Sequence, residues 1–206
     1  MEKFTVLTGV AAPIAEKNVN TDIIIPIKRL VGTARGTFGP YAFEPWRYDA
    51  EGKENPDFIL NRAPYRNAEI LIAGPNFACG SSREGAVWAL QEFGIRAVMA
   101  PSFGGIFFNN CFQSCILPIV LAEEVIEDFL AQAAAETPEP VFTIDLEATH
   151  VIAPNGRKVS FHVEPFRRSA LLEGLDDLGM TLKRTDDIGA FQAKDRDARP
   201  WIYLDR

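Results

Sequence analysis

Short apolar runs broken by glycine and proline set the rhythm of the first two thirds of the chain. Residues 4–10 predict a first strand, followed by a polar stretch that ends at Asn20-Thr21-Asp22. Ile23, Ile24 and Ile25 form a β-branched triplet that predicts a short buried strand, stopped by Pro26. Residues 31–66 lose the rhythm and are rich in glycine, proline and aromatics, Trp46, Tyr48 and Tyr65 among them. They predict a long irregular region, and loops of that length tend to carry function.

From residue 69 the pattern is cleaner. Residues 69–73 predict a strand and 74–82 a glycine-bounded loop. Residues 82–93 predict a helix with Ala86, Leu90 and Phe93 at helical spacing, ended by Gly94. A strand over 96–100, a short helix over 106–112 and a strand over 116–121 follow. The next helix, 125–135, turns Val125, Ile126, Phe129 and Leu130 inward. Strands alternating with helices imply βαβ units and parallel pairing. Two β-rich runs around Asn155-Gly156 predict a hairpin, because its turn needs positive φ angles that Asn and Gly accept. A helical tail starts at residues 166–172 and ends in a charged, mobile segment over 194–206. The expectation is one α/β domain over residues 1–206, with a core to about 165 and a C-terminal helical extension over 166–206.

Composition narrows the function. A chain of 206 residues, 47% hydrophobic and 24% charged, can bury one sizeable core. Its net charge of −7 argues against a nucleic-acid partner, whose phosphates demand basic patches. No cationic segment with a following apolar run opens the chain, and no apolar stretch is long enough to span a membrane. The expectation is a cytoplasmic protein with no membrane partner. Cys79, Cys111 and Cys115 form no CxxC pair and no even-numbered framework. They are expected to be buried thiols rather than metal ligands or a nucleophile, with Cys111 and Cys115 sharing a helical face. His150 and His162 flank the hairpin turn and are expected to be structural or solvent-facing.

The richest chemistry lies in Asn76-Phe77-Ala78-Cys79-Gly80-Ser81-Ser82-Arg83-Glu84, between a predicted strand and a predicted helix. Ser81-x-x-Glu84 is a capping box, in which the serine oxygen accepts from an orphan backbone N–H and the glutamate reaches back. Free amides, the positive end of the dipole, two hydroxyls and Arg83 then meet at one spot suited to a carboxylate or phosphate. The plainer alternative is a well-capped helix with a solvated Arg83. There is no Gly-Lys-Ser/Thr for a nucleotide and no Gly-x-Ser-x-Gly elbow. A reactive Ser81 therefore depends on the dipole and the arginine for activation.

Asn20-Thr21-Asp22-x-Ile24-Ile25-Pro26, the 76–84 stretch, Pro101-Ser102-Phe103 with Ile106-Phe107 and Asn109-Asn110, Phe166-Arg167-Arg168 and Gly174-Leu175-Asp176 occur in that order. The set resembles the small subunits of 3-isopropylmalate dehydratase, similar in turn to the swivelling domain of aconitase, over nearly the whole chain. The resemblance implies an aconitase-type swivelling domain, a mixed, largely parallel sheet with flanking helices. It implies a hydro-lyase that interconverts 2- and 3-isopropylmalate through 2-isopropylmaleate in leucine biosynthesis. It also implies a large iron–sulfur partner, in a heterodimer or heterotetramer, that carries a [4Fe–4S] cluster while this chain binds no metal. In that family pattern Ser81 abstracts the proton beside a carboxylate, and Arg83 steadies the alkoxide and the substrate. Gly80 and Ser82 lie beside them. Asp22 belongs to the site edge, for proton handling or loop anchoring, or serves only to cap a turn. Of Lys28, Arg29 and Arg35, which follow the first motif, Arg35 is the first choice to clamp the second carboxylate, and Lys28 is a further candidate.

The chain departs from the family pattern at Gly85, where His is usual, at Gly104-Gly105 for Ala-Asp, and at Ser169 for His. These departures open two alternatives: a paralogue acting on another alkyl-malate or citraconate-type dicarboxylate, and a non-catalytic dicarboxylate-binding regulator. Residues 27–40, loosened by Gly32, Gly36 and Gly39 and short of apolar anchors, are expected to move until a partner closes over them.

Overall fold

The structure, a computed structural model, describes residues 2–80, 84–135 and 139–203. Its organiser is β1 (Val6–Ile14), the strand through which two sheets become one. The first half of β1 runs antiparallel to β5 (Val141–Asp145), pairing Val6 with Asp145 and Val10 with Val141. Its second half runs parallel to β2 (Ile70–Ala73), pairing Ala11 with Ile70 and Ile14 with Ala73. Pro13 falls in that second half, where the strand is laddered to β2 and no longer to β5, so its missing N–H costs the sheet little. The sequence pattern predicts a strand over residues 4–10; the real strand starts and stops later.

β3 (Ala97–Ala100) and β4 (Leu117–Val120) extend the parallel side, and β6 (His150–Ile152) and β7 (Lys158–Ser160) the antiparallel side. Among the described residues the order is β4-β3-β2-β1-β5-β6-β7. The short parallel strands are apolar at every position because both faces are covered. Leu71, Ala73, Val98 and Ala100 face one core and Ile70, Ile72, Ala97 and Met99 the other, the alternation that a period of two dictates.

The helices are α1 (Thr21–Ile24), α2 (Ile27–Leu30), α3 (Glu44–Arg47), α4 (Glu84–Phe93), α5 (Gly105–Gln113), α6 (Glu123–Ala133), α7 (Pro165–Glu173), α8 (Asp177–Leu182) and α9 (Thr185–Ala198). α4 buries Ala86, Val87, Ala89 and Leu90 in the first core, and Gly94 at φ +118° ends it as expected. α6 sends Ile126 and Phe129 into the second core, with Val125 and Leu130 half-buried beside them. No helix among the described residues is long and apolar enough to cross a membrane.

Two expectations need correction. Ile23–Ile25 is not a strand: the Asn20 side chain accepts from Ile23 N at 3.0 Å and caps the single turn of α1. Ile24 and Ile25 are fully buried all the same, so burial was legible and conformation was not. Local side-chain capping outweighed β propensity. Second, Cys111 and Cys115 do not share a helical face. α5 stops at Gln113, and Cys115 sits at φ +55° with its thiol donating to the Glu2 carbonyl. Residues 31–66 are irregular, as expected, and they are also packed. Phe38, Phe43, Leu60 and Tyr65 are buried, Phe43, Trp46 and Phe58 form a ring cluster, and Tyr65 OH donates to Ala133 O at 2.8 Å.

The hairpin lies where it was expected, with Gly156 at φ +82° and Asn155 accepting from Arg157 N. His150 is buried on β6 and His162 is exposed. α7 packs Leu171 into the second core and accepts Phe4 N through the Leu171 carbonyl. α8 and α9 bury no residue, and residues 194–198 of the charged tail continue α9 as helix.

Candidate active site

The carboxyl ends of β1, β2 and β3 point the same way, as parallel strands must, so the loops that follow them share one edge of the sheet. In open α/β sheets this is the edge at which ligands bind. The loop after β2 is held from both sides. On the β1 side Asn20 and Cys79 form a parallel bridge and Thr21 N donates to Cys79 O at 3.0 Å. Asn18 reinforces it: its N–H donates to Pro75 O, its side-chain oxygen accepts from Asn76 Nδ2 at 2.8 Å, and its carbonyl accepts the Cys79 thiol. On the β3 side Phe77 bridges Phe103, Phe77 N donates to Ser102 O, and Asn76 N donates to Ser102 Oγ at 2.8 Å.

Asn76, Ala78 and Gly80 all have positive φ, and so does Asn18. Non-glycine residues in that region cost of order 1 kcal/mol or more and persist where the surroundings fix them. The pairing on both flanks supplies that fixing. The two sequence motifs are therefore physically joined: Asp22, exposed on α1, lies one residue past the bond that ties Thr21 to Cys79. Gly80 is the last described residue before the helix and Glu84 the first within it. Ser81, Ser82 and Arg83, with the serine of the expected capping box, lie outside the described residues.

The three cations after the first motif go to two places. Lys28 Nζ lies 3.0 Å from Glu44, which also takes Arg29 in a two-pronged grip at 2.8 and 2.9 Å. The hydrogen bond from Arg29 chiefly, helped by Lys28 and opposed by burial, holds the Glu44 carboxyl below its ordinary 4.5. Arg29 also lies over the Tyr41 ring at 4.2 Å. Lys28 and Arg29 line a surface hollow with Tyr48 and Asp49, away from α4. Arg35 instead lies 4.7 Å over the Trp88 ring on α4. It shares a cavity of about 290 Å³ with Glu84, Trp88, Asn110 and Gln113. Arg35 and Glu84 thus line one cavity, while Asp22 is joined to the 76–80 loop through the Thr21–Cys79 bond.

Loop 35–39 is better anchored than its glycines suggest. Glu92 accepts Gly36 N at 2.7 Å and also Phe38 N, while Phe38 is buried against Trp88. Sequence reasoning missed Asn18, Trp88, Glu92 and Ser102, and only the i, i+4 spacing of Glu84, Trp88 and Glu92 offered a signal.

The departures from the family pattern have structural counterparts. A Cβ on Gly85 would meet Leu30 Cδ2 at 2.2 Å, so Leu30 of α2 fills the space above it. A Cβ on Gly104 would meet Ala78 O at 2.3 Å, whereas one on Gly105 would meet nothing within 4 Å. Ser169 donates to Glu173 Oε1 at 3.0 Å.

No group of three or more His, Cys, Asp or Glu among the described residues could hold a metal. The cysteines do not converge: Cys79 is in the site loop, Cys111 is buried inside α5, and Cys115 faces Glu2. Burial pushes the Cys111 thiol well above its ordinary 9.0 and raises that of Cys115. Both shifts disfavour the thiolate that a nucleophile needs.

The family model for the aconitase C-terminal domain matches residues 1–124, the span that carries the parallel side of the sheet. The family model for the C-terminal domain of 3-isopropylmalate dehydratase small subunits matches residues 177–204, across α8 and α9. A 3-isopropylmalate dehydratase small subunit from Rhodospirillum centenum is 54% identical over 201 residues, 98% of each chain. Another from Paramagnetospirillum magneticum is 50% identical over 202 residues, covering 98% of this chain and all of that one. The chain belongs to the 3-isopropylmalate dehydratase small-subunit family. A crystal structure of 3-isopropylmalate dehydratase from Methanocaldococcus jannaschii shares the fold, with a TM-score of 0.65 at 24% identity over 92% of this chain and 99% of that one.

Proposed function

We propose that this chain is the small subunit of a 3-isopropylmalate dehydratase, a hydro-lyase that interconverts 2- and 3-isopropylmalate through 2-isopropylmaleate in leucine biosynthesis. The observation that carries the reading is the Thr21–Cys79 pairing, which splices the Asp22 turn onto the loop that runs into Ser81, in a chain of this family.

Ser81, as an alkoxide, takes the proton from the carbon next to a substrate carboxylate while the hydroxyl departs from the neighbouring carbon, and a proton and a hydroxyl then add back with their positions exchanged when water re-adds. Arg83 lowers the cost of that alkoxide and grips the carboxylate through a planar fork. Gly80 and Ser82 shape the floor around it. Arg35, held over α4, clamps the second carboxylate, and Asp22 holds the rim of the site. Lys28 is committed to Glu44 and serves the site indirectly, by fixing the start of the loop that ends in Arg35. Among the described residues no three His, Cys, Asp or Glu side chains converge on a metal site, and we place the cluster on a large aconitase-like subunit. Bound there, the cluster would supply Lewis-acid chemistry toward the substrate hydroxyl and carboxylate.

The test is anaerobic reconstitution of the chain with its large subunit, followed by near-ultraviolet absorbance of the alkene diacid. Turnover of 2-isopropylmalate by the pair and none by either chain alone is the expected result. Turnover of citraconate-type diacids but not of 2-isopropylmalate would shift the reading to a paralogue. A complex that binds dicarboxylate without turning over either would make this chain a regulator.

A further inference from the structure

We propose that Glu92, with Trp88 beneath it, is a positioning residue that sets where Arg35 meets the substrate. The inference rests on the assignment of Arg35 to the second carboxylate. Its ground is that one helix holds the loop that carries Arg35. In α4, Glu84, Trp88 and Glu92 stand at i, i+4 and i+8 along one of its faces. At 1.5 Å of rise per residue, Glu92 lies about 12 Å along the axis from Glu84.

Both Glu92 oxygens are used on the loop: Oε1 accepts Gly36 N at 2.7 Å and Oε2 accepts Phe38 N. The loop backbone lies against the helix backbone, because a Cβ on Gly39 would meet Glu92 O at 2.5 Å. Phe38 packs on Trp88 with ring centroids 5.8 Å apart, and Arg35 lies on the same indole at 4.7 Å. Stacking engages the face of a guanidinium and leaves its in-plane N–H groups for a carboxylate. Glu92 thus fixes the backbone on the C-terminal side of Arg35, and Trp88 fixes the plane of its side chain. The distance from Arg35 to the start of α4 is then a property of a rigid helix rather than of a glycine-rich loop. A carboxylate suits this task because one residue accepts two backbone N–H groups at once, with charge-assisted strength.

The experiment is a double-mutant cycle in the reconstituted two-subunit enzyme with 2-isopropylmalate, using Arg35→Ala, Glu92→Ala and the pair. Glu92→Ala is expected to raise KM about tenfold while kcat changes by less than about threefold, the pattern of lost uniform binding. Combined with Arg35→Ala, it should cause no further loss in kcat/KM, because it acts through that arginine. Glu92→Gln, which keeps the shape and one acceptor, should fall between Glu92→Ala and the parent, and it carries the same cycle if Glu92→Ala does not assemble. Losses that multiply in the double variant, or an unchanged KM in both Glu92 variants, would overturn the proposal. If Arg35→Ala itself leaves KM unchanged, the assignment of Arg35 to substrate falls first and takes the proposal with it. That outcome is distinct from an impaired Arg35→Ala beside a silent Glu92.

Discussion

A Cβ at position 104 would sit 2.3 Å from the Ala78 carbonyl oxygen, and the loop bearing that carbonyl is pinned on both flanks. Gly104→Ala should therefore push the loop that leads to Ser81. We expect a stability loss of about 1–3 kcal/mol with a marked fall in kcat, read by thermal melting alongside turnover. Ser81→Ala should separate chemistry from folding. The alkoxide is needed for proton abstraction, so kcat should drop by about a hundredfold or more, while loss of the expected cap costs only about 1 kcal/mol. Arg83→Lys should impair both KM and kcat, since an ammonium does not reproduce the two-pronged grip. A Ser81→Ala enzyme that keeps more than a tenth of its turnover would leave the helix start as a cap and nothing more. At this scale the sequence points to residues whose chemistry is written in their own neighbourhood, such as the Gly80–Glu84 run, of which Ser81–Arg83 lie outside the described residues. It hid Asn18, Ser102 and Glu92, whose partners Asn76, Gly36 and Phe38 are dozens of residues away and leave no local pattern.

Elements were legible where hydrophobic period and turn chemistry agreed, as in β2, α4, β3, α5, β4 and α6. They were misread where a side chain bonded its own backbone, as Asn20 does in making a helical turn of an isoleucine triplet. The glycines of residues 27–40 suggested a loose segment, yet its two ends are tied down, at Arg29 by Glu44 and at Gly36 and Phe38 by Glu92. Hydrogen exchange in the free chain should accordingly be fast near Val31, which is 82% exposed, and slow at Gly36 and Phe38. Equally fast exchange at all three would contradict these anchors. The near end has a pH signature. Glu44 has a lowered pKa when folded, so its contribution is full above its ordinary 4.5 and is lost as pH falls through the lower folded value. The melting-temperature gap between the parent and Glu44→Gln should be present at neutral pH and close on the acid side. A gap that widens in acid would reverse the assignment.

For the whole molecule, the question is where the folding unit ends. Composition and pattern suggested a core to about residue 165 followed by an extension, but burial divides the C-terminal helices differently. Leu171 of α7 is fully buried in the second core, and its carbonyl accepts Phe4 N, tying α7 to the segment that leads into β1. α8 and α9 leave Leu178, Leu182 and Phe191 largely exposed and bury nothing. Periodicity alone does not reveal this, because all three helices carry apolar residues at helical spacing and only the first has a sheet to cover. Truncation after Gly174 should therefore leave the melting temperature within about 3 °C of the parent, since little buried area is lost. Truncation after Glu164 removes Leu171 together with the backbone bond and should cost at least the 2–5 kcal/mol, roughly, of a buried leucine. Melting of the two truncated chains side by side decides it. If the shorter deletion already unfolds the protein, α8 and α9 belong to the folding unit despite their exposure. If both deletions are tolerated, the second core does not depend on Leu171.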